Sequence, residues 1–413
     1  MSGNAAGIDA SADPTLSLAQ LYDPEILADP YPLYRRIRET DPVHWDMFLH
    51  SWVITRYEDV TKVLHECSSA CMPTPDKLEE MGLGDVSPIA RILVKQMLFM
   101  DPPDHTRLRT LAAVAFTPMR VEAMRQHIQD ITDRLIDAVI ANGRMEVLAD
   151  FAESLPAIVT AEMLGMPVED YRTLKDWSIE FAEILSNLQL SPETVPKVLK
   201  TAEGMTAYFR DAIRGVGSTT RPGLVKWLVD AEVNGDRLTE EEVISSVIIT
   251  MVGAQETTTN LIASGLLSLF RNRDQMQKME EGTAPINAAV EELLRYETPS
   301  QRTARVAPSD IEVGGKTIQK GQSIMAVMAA ANRDPARFPD PDRLDLERKD
   351  NRHIAFGWGR HYCFGAPLAR IEGQVAFATM FRRLKNLKPE PGPVEWREHM
   401  GLRGLKKLWV SFD

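Results

Sequence analysis

A glycine-rich turn that carries a single cysteine constrains the fold of this chain more than any other stretch. Residues 356–365 read Phe-Gly-Trp-Gly-Arg-His-Tyr-Cys-Phe-Gly, and an amphipathic segment follows at residues 366–384, with Pro367 in its first turn. Glycines allow the main chain to turn sharply and to approach a bound group closely. A cysteine just before a helix N-terminus is expected to have a lowered pKa and to favour the thiolate, a ligand for iron. The alternative is that Cys363 is a small buried hydrophobic residue.

The pattern F-G-x-G-x-H-x-C-x-G-x-x-L-A-R, which runs from Phe356 to Arg370, resembles the cysteine loop of the cytochrome P450 superfamily in its soluble bacterial form. In that family the matched cysteine, here Cys363, is the proximal ligand of haem b. The resemblance implies a mainly α fold with a small β region and a long central helix over the haem. One departure is Phe364, where the family often has a smaller aliphatic residue.

The composition is that of an ordinary globular protein, with 413 residues, of which 44% are hydrophobic and 26% are charged. Such a chain has enough apolar residues for a sizeable core. Its net charge of -12 argues against a nucleic-acid partner, which would call for a basic surface. Three cysteines do not make a disulfide framework, and no further Cys or His cluster joins the close pair Cys67 and Cys71 to bind a metal. We interpret this pair as structural.

The ends of the chain and its apolar runs bear on localisation. No secretory signal opens the chain, and residues 1–20 are small, polar and slightly acidic. We expect them to form a disordered lead-in to a single haem-thiolate domain over residues 21–413. The longest apolar run, residues 243–269, is broken by Gln255, Glu256 and Asn260 and is too polar for a membrane span. We therefore expect a cytoplasmic protein with no membrane partner.

His105 and Arg109 are spaced i, i+4 at the start of a predicted helix that follows two prolines. Side chains at this spacing project from the same helix face, where two cationic donors can grip a carboxylate. From the residues alone, a solvated surface face is the alternative. In the family that the chain resembles, an H-x-x-x-R pair at this place binds a haem propionate. The resemblance implies the same role for His105 and Arg109.

Two further propionate donors are implied by the same resemblance. Arg305, in the sequence Arg-Val-Ala, and His353, three residues before Phe356, fall where the family places them. Arg302 is a competing candidate in the register of Arg305. The expected cofactor-binding set is therefore His105, Arg109, Arg305, His353 and Cys363, with Cys363 as the metal ligand.

A buried ion-pair network is also implied. Glu292 and Arg295 are spaced i, i+3, which places the carboxylate and the guanidinium on one helix face. The segment 338–343, Phe-Pro-Asp-Pro-Asp-Arg, resembles the meander of the family, whose arginine completes a Glu-Arg-Arg network. This implies that Arg343 joins the pair. Such a network fixes the geometry of the cysteine loop more plausibly than it adds net stability.

The longest predicted helix begins at the capping box Thr239-Glu240-Glu241-Glu242 and extends to about residue 270. Its flanks are apolar, so it is expected to pass through the middle of the protein. Glu256 and Thr257 lie within it, and an acid beside an alcohol is costly to bury. From the residues alone, Thr257 bonds back to the carbonyl four residues earlier and Glu256 pairs with an arginine.

In the resembled family the acid-alcohol pair lies over the iron, relays protons and holds water. The resemblance implies that Glu256 and Thr257 are catalytic. The common family order is A-G-x-[D/E]-T, whereas this chain has G-A-Q-E-T, with Gly253 and Ala254 exchanged. We predict that the helix still opens beside the haem and that Thr257 faces the oxygen site.

The substrate pocket is expected from two segments. Residues 71–100 correspond by order to the family region over the distal haem face, and their candidate apolar liners are Met72, Leu83, Ile89, Leu93 and Val94. Residues 177–200 correspond to the lid helices, with Phe181, Ile184, Leu185 and Leu188 as apolar candidates. Ordinary core packing is the alternative for each of these residues.

The resemblance thus implies a haem-thiolate monooxygenase that uses O2 and hydroxylates or epoxidises a small organic substrate, and natural-product biosynthesis is one setting that we expect for it. Because the chain carries no reductase, electrons are expected from a ferredoxin and a ferredoxin reductase, with Arg107 and Arg360 as candidate contacts. Oxidative coupling or desaturation by the same oxidant remains open, as does a haem gas sensor without turnover. A buried acid-alcohol pair argues against the sensor, since passive binding does not require it.

Overall fold

The computed structural model describes residues 13–186, 194–215 and 222–413, and helices dominate it. The helices are α1 (Pro24–Ala28), α2 (Tyr31–Thr40), α3 (Tyr57–Glu66), α4 (Pro75–Glu80), α5 (Ser87–Leu93), α6 (Asp104–Ala115), α7 (Pro118–Ala123), α8 (Arg125–Ile140), α9 (Ser154–Leu164), α10 (Tyr171–Ser186), α11 (Thr194–Arg214), α12 (Leu224–Asp230), α13 (Glu240–Arg271), α14 (Arg273–Glu280), α15 (Ile286–Tyr296), α16 (Met328–Ala331) and α17 (Ala366–Arg383). Together with a few short strands, they confirm the predicted mainly α fold with a small β region.

The β region consists of short strands in small sheets. The strands are β1 (Val43–Asp46), β2 (Ser51–Ile54), β3 (Arg144–Glu146), β4 (Glu232–Val233), β5 (Asp236–Arg237), β6 (Thr303–Val306), β7 (Ile311–Val313), β8 (Lys316–Ile318), β9 (Ser323–Ala326), β10 (Lys388–Pro389) and β11 (Trp409–Ser411). The largest sheet has the order β1-β2-β9-β6, in which only the β2–β9 pair is parallel. Gly314 and Gly315 have positive φ angles of 54° and 81° and form the hairpin turn between β7 and β8.

The central helix α13 forms where the sequence predicts it. Thr239 caps its N-terminus, and the side chain of Glu242 completes the capping box by accepting a hydrogen bond from the Thr239 N–H. The helix is continuous from Glu240 to Arg271, and most of its residues are buried. It passes through the largest hydrophobic cluster of the molecule. A helix that is buried on nearly all sides belongs to the core, as predicted.

Glycines let α13 and α17 cross closely. A Cβ atom on Gly265 of α13 would lie 2.8 Å from the Phe377 ring of α17, and a Cβ on Gly373 of α17 would lie 3.0 Å from Leu261 of α13. The absence of a side chain at these two positions therefore sets the distance between the helices. Both helices also line the large cavity of the molecule, so this contact fixes two of its walls relative to each other.

The N-terminal lead-in is partly ordered. Residues 13–20 were expected to be disordered, but Leu16 and Leu18 lie in short 3₁₀ turns and are 3% and 0% exposed. Asp46 accepts hydrogen bonds from the hydroxyl of Ser17 and from the N–H of Leu18. The expectation of disorder is therefore wrong for this stretch, because its leucines find a place in the core. Residues 1–12 lie outside the described part of the chain.

Candidate haem site

A large cavity lies between α13 and the cysteine loop, residues 356–365. It encloses about 1580 Å³ of empty space, part of which is continuous with solvent. Its walls come from α6, α13, α15, β6, the cysteine loop and the first turns of α17. Cys363, Arg109, Arg305 and Thr257 all line it. The fold therefore brings together four of the seven residues that the sequence predicted for the site.

The cysteine loop presents Cys363 to the cavity through a tight turn. The N–H of Cys363 donates to the carbonyl of Phe356 at 2.8 Å, which closes the loop. Gly357 and Gly359 adopt left-handed backbone conformations, with φ angles of 74° and 69°. Only glycine takes these conformations without strain. The predicted turn before the N-terminus of α17 is confirmed.

The pKa of the Cys363 thiol is shifted in the opposite direction from the prediction. Burial raises the pKa of Cys363, while the N–H groups of Gly365 and Ala366 and the Arg109 guanidinium act in the opposite direction. The predicted lowering of the thiol pKa is therefore wrong for the free thiol, because desolvation outweighs the helix N-terminus. The same N–H groups are placed to stabilise a thiolate once a metal ion neutralises part of its charge.

Three nitrogen-rich side chains face the cavity from distant parts of the sequence: Arg109, Arg305 and His361. Arg109 donates to the carbonyl of Tyr362 at 2.8 Å, which ties α6 to the cysteine loop. Arg305 is 4% exposed and donates to the carbonyl of Ala304 at 2.7 Å. Its Nε atom is buried and has no hydrogen-bond partner among the described residues.

His105 lies beside this group rather than on the cavity wall. Its ring packs against the ring of His361, with centroids 4.2 Å apart. The Nε2 atoms of both histidines are buried without a partner in the described structure. Burial, followed by His105 and Arg305, lowers the pKa of His361 to about 3. His361 is therefore neutral at pH 7 and retains one ring N–H for donation.

This arrangement fits the carboxylate end of a haem. Buried polar groups in folded proteins nearly always have partners, so three unpaired nitrogens in one region indicate a missing acceptor. Arginine and a neutral imidazole N–H are both donors to carboxylates. An apolar cavity with a cysteine on one wall and such donors nearby suits a flat, largely apolar group that carries carboxylates.

The structure corrects the assignment of His353. Its side chain is 2% exposed and does not line the cavity. Its Nε2 atom lies 3.1 Å from Glu291, which also binds Arg370 at 2.7 Å, so the imidazole faces α15 and α17 behind the loop. Sequence reasoning missed His361, although this histidine is part of the F-G-x-G-x-H-x-C pattern and lies two residues before the cysteine.

Arg302 does not compete with Arg305 for the site. It is 7% exposed and donates to the carbonyl of Met400 at 3.2 Å, away from the cavity lining. The two arginines lie on either side of the start of β6, and only Arg305 reaches the cavity. Of the two candidate arginines, Arg305 is therefore the one that the fold places at the cavity.

Glu256 and Thr257 point in different directions. Thr257 lines the cavity and donates its hydroxyl to the carbonyl of Gly253 at 2.7 Å, as the back-bonding interpretation predicts. Glu256 is 5% exposed and outside the cavity lining. Consecutive helical residues are turned by about 100° from each other, and in α13 this turn directs Glu256 away from the cavity that Thr257 lines.

Glu256 instead belongs to a buried ion-pair network. Arg397 donates to both of its carboxylate oxygens, at 3.2 and 3.0 Å, and also binds Glu153. Lys175 binds Glu153 at 3.1 Å. Burial raises the pKa of Glu256, and Arg397 opposes that shift. The alternative that Glu256 pairs with an arginine is therefore confirmed.

The predicted opening of α13 is wrong for this structure, since the helix is regular through residues 250–260.

The network around Glu292 has the predicted pair and a different third member. Arg295 binds Glu292 at 2.8 Å, and both side chains are fully buried. Arg348 binds the same carboxylate at 3.2 Å, whereas Arg343 contributes only its backbone carbonyl to Arg295. The assignment of Arg343 as the second arginine is therefore wrong, because the chain after β9 turns back and brings Arg348 to the carboxylate instead.

The predicted pocket liners are also revised. None of Met72, Leu83, Ile89, Leu93 and Val94 lines the cavity. The apolar wall comes instead from residues that include Met97, Leu98, Phe116, Met163, Ile249 and Leu294. Phe181 is a core residue with 0% exposure, whereas the side chains of Ile184 and Leu185, and Leu188 itself, lie outside the described residues.

Other predictions have mixed outcomes. Arg107 is held in ion pairs with Asp236 and Glu242, both at 2.6 Å, whereas Arg360 is exposed. Burial raises the pKa of Cys67 to about 11, and no cluster of metal-binding side chains occurs among the described residues. No helix in the described ranges is long and apolar enough to cross a membrane.

Comparisons with known proteins agree with this geometry. The family model "Cytochrome P450" matches residues 45–283 and 285–405. The chain is 35% identical over 391 residues to the biotin biosynthesis cytochrome P450 of Bacillus subtilis, covering 94% of this chain and 98% of that protein. It is 34% identical over 411 residues to the cytochrome P450 monooxygenase PikC of Streptomyces venezuelae, covering 97% and 95% respectively.

Solved structures give the same result. The crystal structure of P450BioI with an acyl carrier protein ligated to hexadec-9Z-enoic acid matches with a TM-score of 0.88 and 34% identity, covering 94% of this chain and 99% of that one. The myxobacterial CYP267B1 in complex with myristic acid matches with a TM-score of 0.86 and 37% identity, covering 95% and 99%.

Proposed function

Because this chain belongs to the cytochrome P450 family, and is therefore a haem-thiolate oxidoreductase of the monooxygenase type, we propose specific roles for the residues around its cavity. Cys363 would hold the iron through its thiolate. Arg109, Arg305 and His361 hold the propionates of a haem b, and His105 supports the His361 ring. The unpaired Nε atom of Arg305 and the unpaired Nε2 atom of His361 support this assignment.

When bound, the haem supplies O2 activation and the transfer of one oxygen atom to an organic substrate, with two electrons and two protons consumed. The Cys363 thiolate would supply electron density to the iron. On the distal wall, the Thr257 hydroxyl holds a proton at hydrogen-bond distance from the Gly253 carbonyl. Glu256 lies behind the helix face that Thr257 occupies, where its carboxylate accepts hydrogen bonds from Arg397. We propose that these two groups deliver protons in sequence.

The substrate is proposed to be a small, largely apolar organic molecule. The wall beside Thr257 is formed by side chains such as Ile249, Met163 and Leu294, which offer no charge for recognition. Apolar surfaces of this kind bind hydrocarbon by desolvation rather than by directed contacts. A fatty-acyl or polyketide substrate in natural-product biosynthesis fits this wall, in line with the ligands of two structural neighbours. Hydroxylation or epoxidation is the proposed outcome, and coupling or desaturation would use the same oxidant.

The remaining proposals concern the cell and the partners. The domain predicted over residues 21–413, to which the packed residues 13–20 are added, works in the cytoplasm and receives electrons from a ferredoxin and its reductase. The donor docks on the cysteine side, where Arg360 is exposed. Arg107 is not part of this surface, because its guanidinium is already neutralised by Asp236 and Glu242.

The observation that carries the proposal is the placement of Cys363 on the cavity wall within its turn. The test is the spectrum of the reduced protein under carbon monoxide, in which a thiolate ligand gives a strongly red-shifted Soret band. We expect Cys363→Ala to lose this band and Cys67→Ala, the matched control, to retain it. Loss of the band in Cys67→Ala together with retention in Cys363→Ala would overturn the assignment.

A further inference from the structure

Glu372 is a buried carboxyl group on the wall of the haem cavity. It lies on α17, which begins just after Cys363, and it follows Leu368 and Ala369 by four and three positions. These spacings place the three residues on one helix face, and all three line the cavity. Glu372 is 1% exposed, and its Oε2 atom has no hydrogen-bond partner among the described residues.

Charged groups on the neighbouring helices are engaged elsewhere. The helices packed against α17 are α7, α8, α13, α14 and α15. Their ionic pairs include Glu122 with Arg125, Asp133 with Arg383, Arg273 with Glu280, Glu291 with Arg370, and Glu292 with Arg295, while Glu256 on α13 is bound by Arg397. None of these groups compensates a charge on Glu372.

The ionisable groups inside the cavity do not compensate it either. Besides Glu372 itself, they are Arg109, Arg305, His361, Tyr362 and Cys363, and the Tyr362 hydroxyl is bound by Arg370. Burial is the sole cause of the shift that raises the pKa of Glu372 to about 8. An isolated carboxylate is costly to bury, so the group remains protonated where an exposed glutamate would be ionised.

We propose that Glu372 is a neutral carboxylic acid at physiological pH, and that its ionisation in alkaline solution lowers the reduction potential of the haem. This inference rests on the proposed haem site. It adds a residue that tunes the cofactor through its charge rather than by touching the substrate.

The physical reason is charge repulsion in a cavity of low dielectric. Reduction of the iron by one electron, delivered by a one-electron carrier protein, adds one negative charge beside the thiolate of Cys363. A carboxylate at Glu372 opposes that addition, whereas the neutral acid does not. Between the pKa of Glu372 in the oxidised protein and its higher pKa in the reduced protein, reduction is therefore accompanied by uptake of one proton from solvent onto the Glu372 carboxylate. Neutral Glu372 keeps the iron easier to reduce.

The test is spectroelectrochemical titration of the haem-loaded protein between about pH 6 and pH 9, the range set by ionisation near 8. We expect the wild-type potential to be flat at the acid end and to fall as the pH rises. Glu372→Gln, which keeps the shape and removes the ionisation, should give a flat profile. Glu281→Gln, on an exposed carboxylate, should keep the wild-type fall.

A second measurement does not depend on electron transfer. Infrared spectra of the oxidised protein should show a protonated carboxyl band that disappears over the same pH range and is absent in Glu372→Gln. If Glu372→Gln does not fold, Glu372→Met replaces it with an apolar side chain of similar length. A potential that falls equally with pH in the wild type and in the variant overturns the inference, as does a band that has already disappeared at pH 6. Either result leaves the carbon monoxide test of Cys363 unaffected.

Discussion

His361 carries an unpaired ring nitrogen into the same part of the cavity as Arg109 and Arg305. Its neutrality follows from burial and from the adjacent His105 ring and Arg305 guanidinium, which both disfavour a positive charge. A neutral imidazole donates one hydrogen bond without adding charge. His361 therefore complements the arginines, which provide charge, in the proposed grip on the propionates.

Haem retention distinguishes His361 from His353. His361→Ala removes a hydrogen bond to a charged group, a loss of roughly 1.5 to 3 kcal/mol. Since about 1.4 kcal/mol corresponds to a factor of ten, we expect haem transfer to an acceptor apoprotein to become about 10-fold faster or more. His353→Gln should change the rate little, since glutamine retains a polar contact to Glu291 and no cavity donor is lost. The reverse order of the two rates would contradict the correction.

Sequence reasoning located the site but did not give the direction of every side chain. The cysteine loop was predictable because its glycines, cysteine and proline occur in a fixed order, and together they form a tight turn before a helix N-terminus. Glu256 was expected beside Thr257 at the cavity, whereas the fold turns its side chain towards Arg397. His353 was misassigned for a related reason, because backbone turns between it and Cys363 decide which wall it faces.

At the scale of secondary-structure elements, the crossing of α13 and α17 sets the distance between the two sides of the haem site. Thr257 is on α13, whereas Leu368 and Glu372 are on α17. The crossing lies at Gly265, further along α13, where the ring of Phe377 fills the space of a side chain. A change at Gly265 therefore acts on the cavity through the spacing of two helices and not through any direct contact with it.

Gly265→Ala is expected to lower the unfolding temperature of the haem-loaded protein. The new methyl group would lie 2.8 Å from Phe377, which is 0% exposed and cannot move freely. Overpacking of this kind costs about 1 to 3 kcal/mol, more than the gain of up to about 1 kcal/mol from alanine in a helix. Phe377→Leu in the same background should restore part of the loss. An equal or higher unfolding temperature in Gly265→Ala would show that the crossing tolerates the side chain.

At the scale of the whole molecule, distant segments converge on one cavity. Arg109 is on α6, Arg305 is on β6, and His361 and Cys363 belong to the loop before α17. The sequence order of these landmarks was predictable from the family pattern. Their partners were not, because Arg397 and Arg348 reach Glu256 and Glu292 through turns that carry no periodic signal. Long-range pairing of this kind is decided by the folded chain as a whole.

Two buried glutamates on adjacent helices are expected to affect global stability in opposite ways. Glu292 neutralises Arg295 and Arg348, so Glu292→Gln leaves buried positive charge and should cost about 3 to 5 kcal/mol. Glu372 has no cation, and its pKa of about 8 lies above that of an unfolded glutamate. The contribution of Glu372 to the free energy of unfolding is therefore present in full only below the pKa of glutamate in the unfolded chain. As the pH rises from there towards 8, this contribution is lost by about 1.4 kcal/mol per pH unit.

Thermal unfolding of the haem-loaded protein at several pH values separates the two effects. Glu292→Gln should unfold at a markedly lower temperature than the wild type throughout. The unfolding temperature of Glu372→Gln should rise relative to that of the wild type as the pH increases from about 5 to 8. The reason is that the amide, unlike the carboxyl group, does not have to remain protonated in the folded state. A constant difference between Glu372→Gln and the wild type over this range would mean that the carboxyl is ionised in the fold. An unchanged unfolding temperature in Glu292→Gln would mean that Arg295 and Arg348 find other partners when the carboxylate is lost.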